Sequence, residues 1–279
     1  MTHPLDGAWL KATRAREHLR LLQGELATAQ IRPYRVVGAY EGEGNHYVLR
    51  FDVIDDGSHL RAGMGLVAGD AIHNLRAALD HLAWQLAVAG GGANRRTQFP
   101  IYDDQAIFRA NVDAVLRGVS PTDRATIETL QPYHLRAAEA VEGVHRDLSL
   151  NALLMIVSRL DNVDKHTVLL PKVAVAQVEV PRFTNVLSAD VRAPGRWVVV
   201  EDGAMFCELN DLVPEDPSRP IVLDSDPQVA IVFGDPTPLS NEAVWTDRSR
   251  GAVSEADLFA AADAVERVIG LFAGSFDRS

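Results

Sequence analysis

The chain of 279 residues carries 27 basic and 38 acidic side chains, for a net charge of −11, and 47% of its residues are hydrophobic. Such a chain can bury a sizeable core in one large or two modest globular domains, and its acidity argues against a protein that coats duplex DNA or RNA by counterion release. The single cysteine excludes an internal disulfide and a cysteine-based zinc site. Because neither an apolar run of about eighteen residues nor a signal-peptide pattern occurs, we expect a cytoplasmic protein without a membrane partner.

Three elements are predicted in the first 90 residues. Leucines and Trp9 recur near helical spacing from residue 4 to about residue 30, which predicts an amphipathic helix. Two β-rich runs in the segment 35–54 flank the sequence EGEGN, and they predict a hairpin because glycine and asparagine suit a tight reversal. The segment from about residue 60 to residue 89 predicts a long helix, which the sequence GGGAN ends.

The middle of the chain predicts three more helices. A helix near 103–117 precedes a second one that begins with Ser120 as its N-cap and Pro121 in its first turn. A longer helix is expected over 147–165, and it ends before Pro171. The predicted elements up to this point are therefore helical apart from the hairpin.

The pattern changes to strands after residue 172. From residue 173 to residue 233, apolar and polar residues alternate in short runs with Pro, Gly and Asp between them, which predicts an antiparallel sheet that the earlier hairpin joins. Cys207 is expected to be a buried strand residue. Ser254 and Asp257 are spaced as a capping box, and they predict a terminal helix over 258–272.

The fold class that follows is α+β, with a helical bundle and an attached antiparallel sheet. Residues 1–171 are expected to form the bundle with its hairpin, residues 172–250 the β region, and residues 251–279 a helix that packs back on the core. We expect one compact unit because no obvious linker separates the two compositions.

The helix predicted near 60–89 contains the sequence GDAIHNLRAALDHLAWQLA and has neither Lys nor Glu. One arc of this helix is apolar and must face the core. Exposed helix faces normally carry Lys and Glu, so we expect the polar side to be covered by another element or by a second copy of the chain. A homodimer is therefore predicted. The polar side comprises His73, Arg76, Asp80 and Trp84 in one arc, and Asp70, Asn74, Ala77, His81 and Gln85 in the next.

The end of the helix predicted over 147–165 is also rich in polar groups. Asp161 and Lys165 are one turn apart, as are Asn162 and His166, so each pair can interact along the helix surface. One interpretation is a charged helix end, because cations are favoured near the carbonyl groups of a C-terminus. The alternative is that this end meets His73, Asp80 and His81 and forms one polar pocket.

Two segments, GDAIHNLRAALDHLAW and LDNVDKH, resemble a group of uncharacterised bacterial proteins, and the first is similar to a helix of the HEPN superfamily. The resemblance implies a helical domain. In the ribonucleases of this superfamily, an Arg is separated from a His by four to six residues on one helix, and dimerisation brings two such helices to a shared cleft. Arg76 and His81 match this spacing, as do Arg159 and His166.

The resemblance implies metal-independent RNA cleavage without a cofactor. His81 would act as the acid or base near neutral pH, while Arg76 would hold the phosphate and stabilise its developing charge. Asp80 or Asn74 would orient the imidazole. The remaining candidates for substrate binding or support are His73, Arg159, Asp161, Asn162, Lys165 and His166.

Three alternatives stay open. Arg76 could form an ion pair with Asp80 one turn away. Because Ala77 stands where active members of the superfamily have a polar residue, the chain could be a non-catalytic module for dimerisation or ligand binding. A metal-dependent hydrolase is the third alternative, although no helix carries a metallohydrolase signature and no metal is predicted. Its ligands would come from His73, Asp80, His81, Asp161, Asp164 and His166.

Overall fold

The computed structural model describes the chain in segments that contain both helices and antiparallel strands, which confirms the α+β class. The described residues are 3–28, 34–41, 45–54, 61–135, 149–166, 169–176, 182–192, 197–199, 203, 205–224, 228–234 and 253–276. The predicted hairpin turn at 42–44 and the end of the predicted β region at 235–250 lie outside them. None of the described helices has the length and apolarity needed to cross a bilayer.

The helices agree with the predicted ones to within a few residues. In chain order they are α1 (Asp6–Thr28), α2 (Arg61–Ala89), α3 (Gln105–Val115), α4 (Pro121–Thr129), α5 (Leu150–His166) and α6 (Glu255–Leu271). The strands are β1 (Tyr34–Tyr40), β2 (Tyr47–Val53), β3 (Leu170–Ala176), β4 (Phe183–Thr184), β5 (Val186–Arg192), β6 (Trp197–Val199), β7 (Met205–Pro214), β8 (Val222–Leu223), β9 (Gln228–Gly234) and β10 (Val253–Ser254).

Both predicted helix starts are confirmed by their hydrogen bonds. The Ser120 side chain accepts a hydrogen bond from the Asp123 backbone N–H, and Pro121 is the first residue of α4. Ser254 and Asp257 form a complete capping box at the start of α6. Each cap satisfies backbone donors that have no partner within the helix, which fixes where the helix begins.

Helix α2 lies at the centre of the helical core. It packs against α1, α5, α6 and strand β3. Its apolar arc is fully buried as predicted, and this arc includes Ile72, Leu75, Leu79 and Leu82. Because one stripe of α2 is committed to the core, the opposite stripe must face outward.

The β region is antiparallel as predicted, but the expectation that it forms one sheet is wrong. The strands form a four-stranded sheet in the order β1-β2-β7-β5, a second in the order β10-β9-β3-β6, and the ribbon β4-β8, all with antiparallel pairs. The hairpin β1-β2 does join a later strand, β7. Strands β3 and β9 instead contact the helices α2 and α6. Alternating residues predict strands, but they do not specify which strands pair.

The sheet β1-β2-β7-β5, which we call the hairpin sheet, has a hydrophobic cluster separate from that of the helices. Cys207 is buried in this cluster, as predicted, and burial raises the pKa of its thiol to about 12. The pairing register shifts between Leu49 and Arg50, and both Phe206 and Cys207 are buried at this bulge. The hairpin sheet therefore has a core of its own.

Candidate functional site

Arg76 is tied into the scaffold beside α2. Its guanidinium contacts Asp80 through Nη2–Oδ1 at 3.0 Å and Nε–Oδ2 at 3.3 Å, and Nη2 also donates to the Phe99 carbonyl oxygen at 2.7 Å. The Phe99 N–H donates to Asp80 Oδ1 at 2.9 Å. Only 12% of the Arg76 side chain is exposed. The predicted Arg76–Asp80 ion pair is confirmed, and it anchors the extended link that follows α2.

His81 faces a different neighbour from Arg76. The two residues are five positions apart, which separates them by about 140° around the helix axis. The His81 ring is exposed, and its Nδ1 lies 3.0 Å from the point where a Cβ on Gly7 of α1 would stand. The structure thus directs Arg76 to the Phe99 link and His81 to α1. The ribonuclease hypothesis and the HEPN resemblance stay predictions.

A polar cluster does form between α2 and α5, as one of the two interpretations predicted, but with different members. The α2–α5 cluster consists of Asp70 and His73 from α2 with Asp161, Asp164 and Lys165 from α5. The Asp161 side chain is only 4% exposed and bonds Lys165 Nζ at 2.6 Å and His73 Nδ1 at 3.3 Å. Asp80 does not share this pocket as expected, because it bonds Arg76 and the Phe99 N–H. His81 lies against α1 instead.

Gly69 allows α2 and α5 to approach closely at this cluster. A Cβ on Gly69 would lie 2.2 Å from Asp164 Oδ1, which is closer than two non-bonded atoms can approach. Burial raises the pKa of the Asp164 carboxyl, the charges of Asp161 and Asp70 raise it further, and His73 opposes them. Glycine in a helix interior is a sequence signal for close packing, and it would have pointed to this contact.

His73 is held in one orientation by the cluster. Because the Asp161 carboxylate can only accept a hydrogen bond, His73 Nδ1 carries the proton in their contact. Nε2 is then the ring nitrogen with a free lone pair, and the imidazole is exposed. A buried carboxylate behind an exposed imidazole fixes the tautomer and leaves Nε2 as the ring nitrogen that can bind a metal ion.

The other predicted site residues lie outside the cluster's contacts. Asn74 Nδ2 donates to the Asp70 carbonyl oxygen at 2.7 Å, a bond along the helix rather than one that orients an imidazole. Arg159 Nη2 bonds Asp103 at 3.2 Å. Asn162 and His166 are exposed. Among the described residues, no group of three or more His, Cys, Asp or Glu side chains within the chain is arranged to hold a metal ion.

The outward stripe of α2 is exposed except at Ala77, which is half-buried. We call it the outer face of α2, and it consists of Leu66, Asp70, His73, Ala77, His81, Trp84 and Val88. The exposed fractions are 57% for Leu66, 43% for Trp84 and 48% for Val88. The expectation that another element covers the polar side of α2 therefore holds for Arg76 and Asp80, which bond the Phe99 link. It does not hold for Asp70, His73, His81 and Trp84, which the described residues leave exposed, and a second copy of the chain is the alternative for them.

A comparison of the chain with known protein families, with curated proteins and with solved structures finds no match.

Proposed function

We propose that the chain is a homodimerising module and that the outer face of α2 is the dimer interface. The observation that carries this proposal is the exposure of Leu66, Trp84 and Val88 on a helix face that has no Lys or Glu. Interface cores are enriched in aromatic residues and depleted in Lys and Glu, whereas solvated helix faces show the reverse.

The spacing of the outer face supports pairing with a second copy. A dimer with two-fold symmetry pairs the same face on both copies. If two α2 helices cross antiparallel at Ala77, position 66 meets position 88 of the partner, because both are eleven residues from Ala77. Leu66 then packs against the partner subunit's Val88. Each apolar end of the face thus packs against an apolar end of the same face on the partner.

The same equal spacing from Ala77 pairs a hydrogen-bond acceptor with a donor nearer to the crossing point. Asp70 and Trp84 are both seven residues from Ala77, so each Asp70 meets the partner subunit's Trp84, whose indole N–H needs an acceptor. Ala77 at the crossing point has the small side chain that lets two helix axes come within about 8–10 Å. The face from Leu66 to Val88 is about 33 Å long, enough for a continuous helix-to-helix contact.

The test is the mass of the protein in solution, measured by sedimentation equilibrium over a range of concentrations. We expect a monomer–dimer equilibrium that Ala77→Arg shifts to monomer, because two guanidinium groups would meet at the two-fold axis. The matched control is Ala110→Arg, which places the same side chain on the exposed surface of α3. Circular dichroism checks that both variants fold.

Two results would overturn the proposal. One is a native protein that stays monomeric at every concentration. The other is a dimer that tolerates Ala77→Arg as well as it tolerates Ala110→Arg, since the interface would then lie elsewhere.

A further inference from the structure

We infer that the dimer binds two divalent transition-metal ions, each held by Asp70 and His73 of one protomer and by the partner subunit's His81. This inference rests on the proposed function, because it requires the antiparallel pairing of the α2 helices. It adds a site that a single chain cannot complete.

The three ligands converge because of their positions along α2. His73 and His81 are each four residues from Ala77, on opposite sides of it. In the antiparallel pair, His73 therefore lies at the same level as the partner subunit's His81, about 6 Å along the axis from the crossing point. Asp70 is three residues from His73 and shares its side of the helix. All three side chains are exposed in the single chain.

The contact behind His73 supports a ligand role. A histidine that binds a metal through one ring nitrogen commonly donates its other N–H to a carboxylate, which fixes the ring and raises its basicity. His73 Nδ1 lies 3.3 Å from Oδ1 of the buried Asp161 carboxylate. Lys165 Nζ lies 2.6 Å from the other oxygen, Oδ2. Nε2 of His73 is therefore the nitrogen available on the outer face of α2.

His81 also has one ring nitrogen close to a neighbouring helix and one farther from it. Nδ1 is the His81 ring nitrogen nearest to Gly7 of α1, so Nε2 lies farther from that helix. Two imidazoles and one carboxylate suit zinc, cobalt or iron in their divalent state, with a water molecule in a remaining position.

The charge around the site favours a cation. Asp70, Asp161 and Asp164 bring three carboxyl groups to the α2–α5 cluster, whereas Lys165 is its one lysine. The same excess of carboxyl groups disfavours a phosphate ligand, so the site differs in chemistry from an anion-binding cleft.

The binding test uses the full chain after its metals have been removed with EDTA and the EDTA has been dialysed away. Zn²⁺ is titrated by calorimetry, and Co²⁺ is titrated by its visible absorption, which reports the coordination of the ion. We expect one ion per protomer. His73→Ala and His81→Ala should each abolish this binding, while His166→Ala, on the exposed end of α5, should retain it.

Mixing two variants tests whether the site is shared. His73→Ala keeps His81 and His81→Ala keeps His73, so a mixed dimer contains one complete site and one site without either histidine. After equal amounts exchange subunits, half of the dimers are mixed, and we expect about one quarter of the native binding capacity to return.

The outcomes separate this inference from the proposed function. A native dimer that binds neither Zn²⁺ nor Co²⁺ overturns the metal site and leaves the dimer in place, whereas a monomer overturns both. Binding that survives in His81→Ala, or that does not return on mixing two dimeric variants, would mean that the ligands do not come from two protomers. Sedimentation of each variant shows whether it still dimerises.

Discussion

The outer face of α2 and the outward face of the hairpin sheet both have side chains at the surface, but these side chains differ in kind. The outward face of the hairpin sheet carries charged side chains in pairs of opposite sign. These pairs are Arg35–Asp52, Arg50–Glu41 and Arg192–Asp190, and His46 Nε2 lies 3.2 Å from Glu208 Oε2. On the outer face of α2, apolar side chains alternate with Asp70, His73 and His81, and Lys and Glu are missing.

Exposed apolar area is therefore a poor guide to an interface when it is taken alone. Tyr40 on β1 is as exposed as Leu66 on α2, but Tyr40 contacts Tyr47 edge to face and is followed by Glu41, which forms an ion pair with Arg50. Leu66 belongs to a stripe whose members are spaced symmetrically about Ala77. In the proposed dimer, the symmetry and the missing Lys and Glu, rather than exposure, mark the outer face of α2 as the interface.

The largest change in the free energy of unfolding should follow removal of an ion pair beside α2, and an ion pair on the hairpin sheet serves for comparison. Arg76→Ala should lower the free energy of unfolding by about 2–3 kcal/mol, because the Phe99 carbonyl oxygen and the Asp80 carboxylate both lose a partner in a partly buried place. The measurement is urea unfolding followed by circular dichroism.

Arg35→Ala is the matched control for Arg76→Ala. The Arg35 side chain is 70% exposed beside Asp52, so its removal should change the free energy of unfolding by less than about 0.5 kcal/mol. Equal effects of the two substitutions would contradict the structural role given to Arg76.

A smaller change, in the Kd of the dimer, is expected from removing an exposed aromatic residue of α2 but not one of β1. Trp84→Ala should weaken the dimer by about 2 kcal/mol, or about 30-fold in Kd, because a central tryptophan dominates many interfaces. Tyr40→Ala should leave the Kd unchanged, because the hairpin sheet stays in water. Sedimentation equilibrium measures both values, and a larger loss with Tyr40→Ala would move the interface to the hairpin sheet.

The smallest effect is on the pH dependence of stability. It is tested at Asp164 and at Asp216, which follows β7. The raised pKa of Asp164 means that its ionised form is disfavoured in the folded state, so its contribution to stability falls as pH rises through the range between its unfolded and folded pKa values. Asp164→Asn should therefore gain melting temperature relative to the native protein between pH 4 and pH 7, in metal-free buffer.

Asp216→Asn should show the opposite sign. Hydrogen bonds from the Ser218 hydroxyl and backbone N–H lower the pKa of Asp216, so its stabilising contribution is present above its unfolded pKa and is lost as pH falls. The variant should be less stable than the native protein at pH 7, and the difference should vanish in acid. Thermal melts at several pH values measure both variants, and a common sign would refute the two assignments.

Much of the fold could be predicted from the sequence because its signals are local. The apolar arc of α2, the caps at Ser120 and Ser254 and the burial of Cys207 each depend on residues that are neighbours along the chain. The Arg76–Asp80 pair could be anticipated for the same reason, since its members are one turn apart.

The rest depended on partners that are distant in the sequence. The Phe99 carbonyl oxygen is 23 residues from Arg76, and Asp161 is 88 residues from His73. Spacing along one helix could not show that Asp80 turns to the Phe99 link or that Gly69 admits Asp164. Pairing of β3 with β9 rather than with β7 has the same cause, because strand alternation is identical for every possible neighbour.

The positions of helices and strands, and the lack of Lys and Glu on one side of α2, can be read from the chain because backbone preference and side-chain period are local properties. Which polar groups of α2 bond to other parts of the chain and which face outward depends on the folded arrangement. A buried hydrogen bond needs a specific partner at about 3 Å, and folding sets which residues come that close.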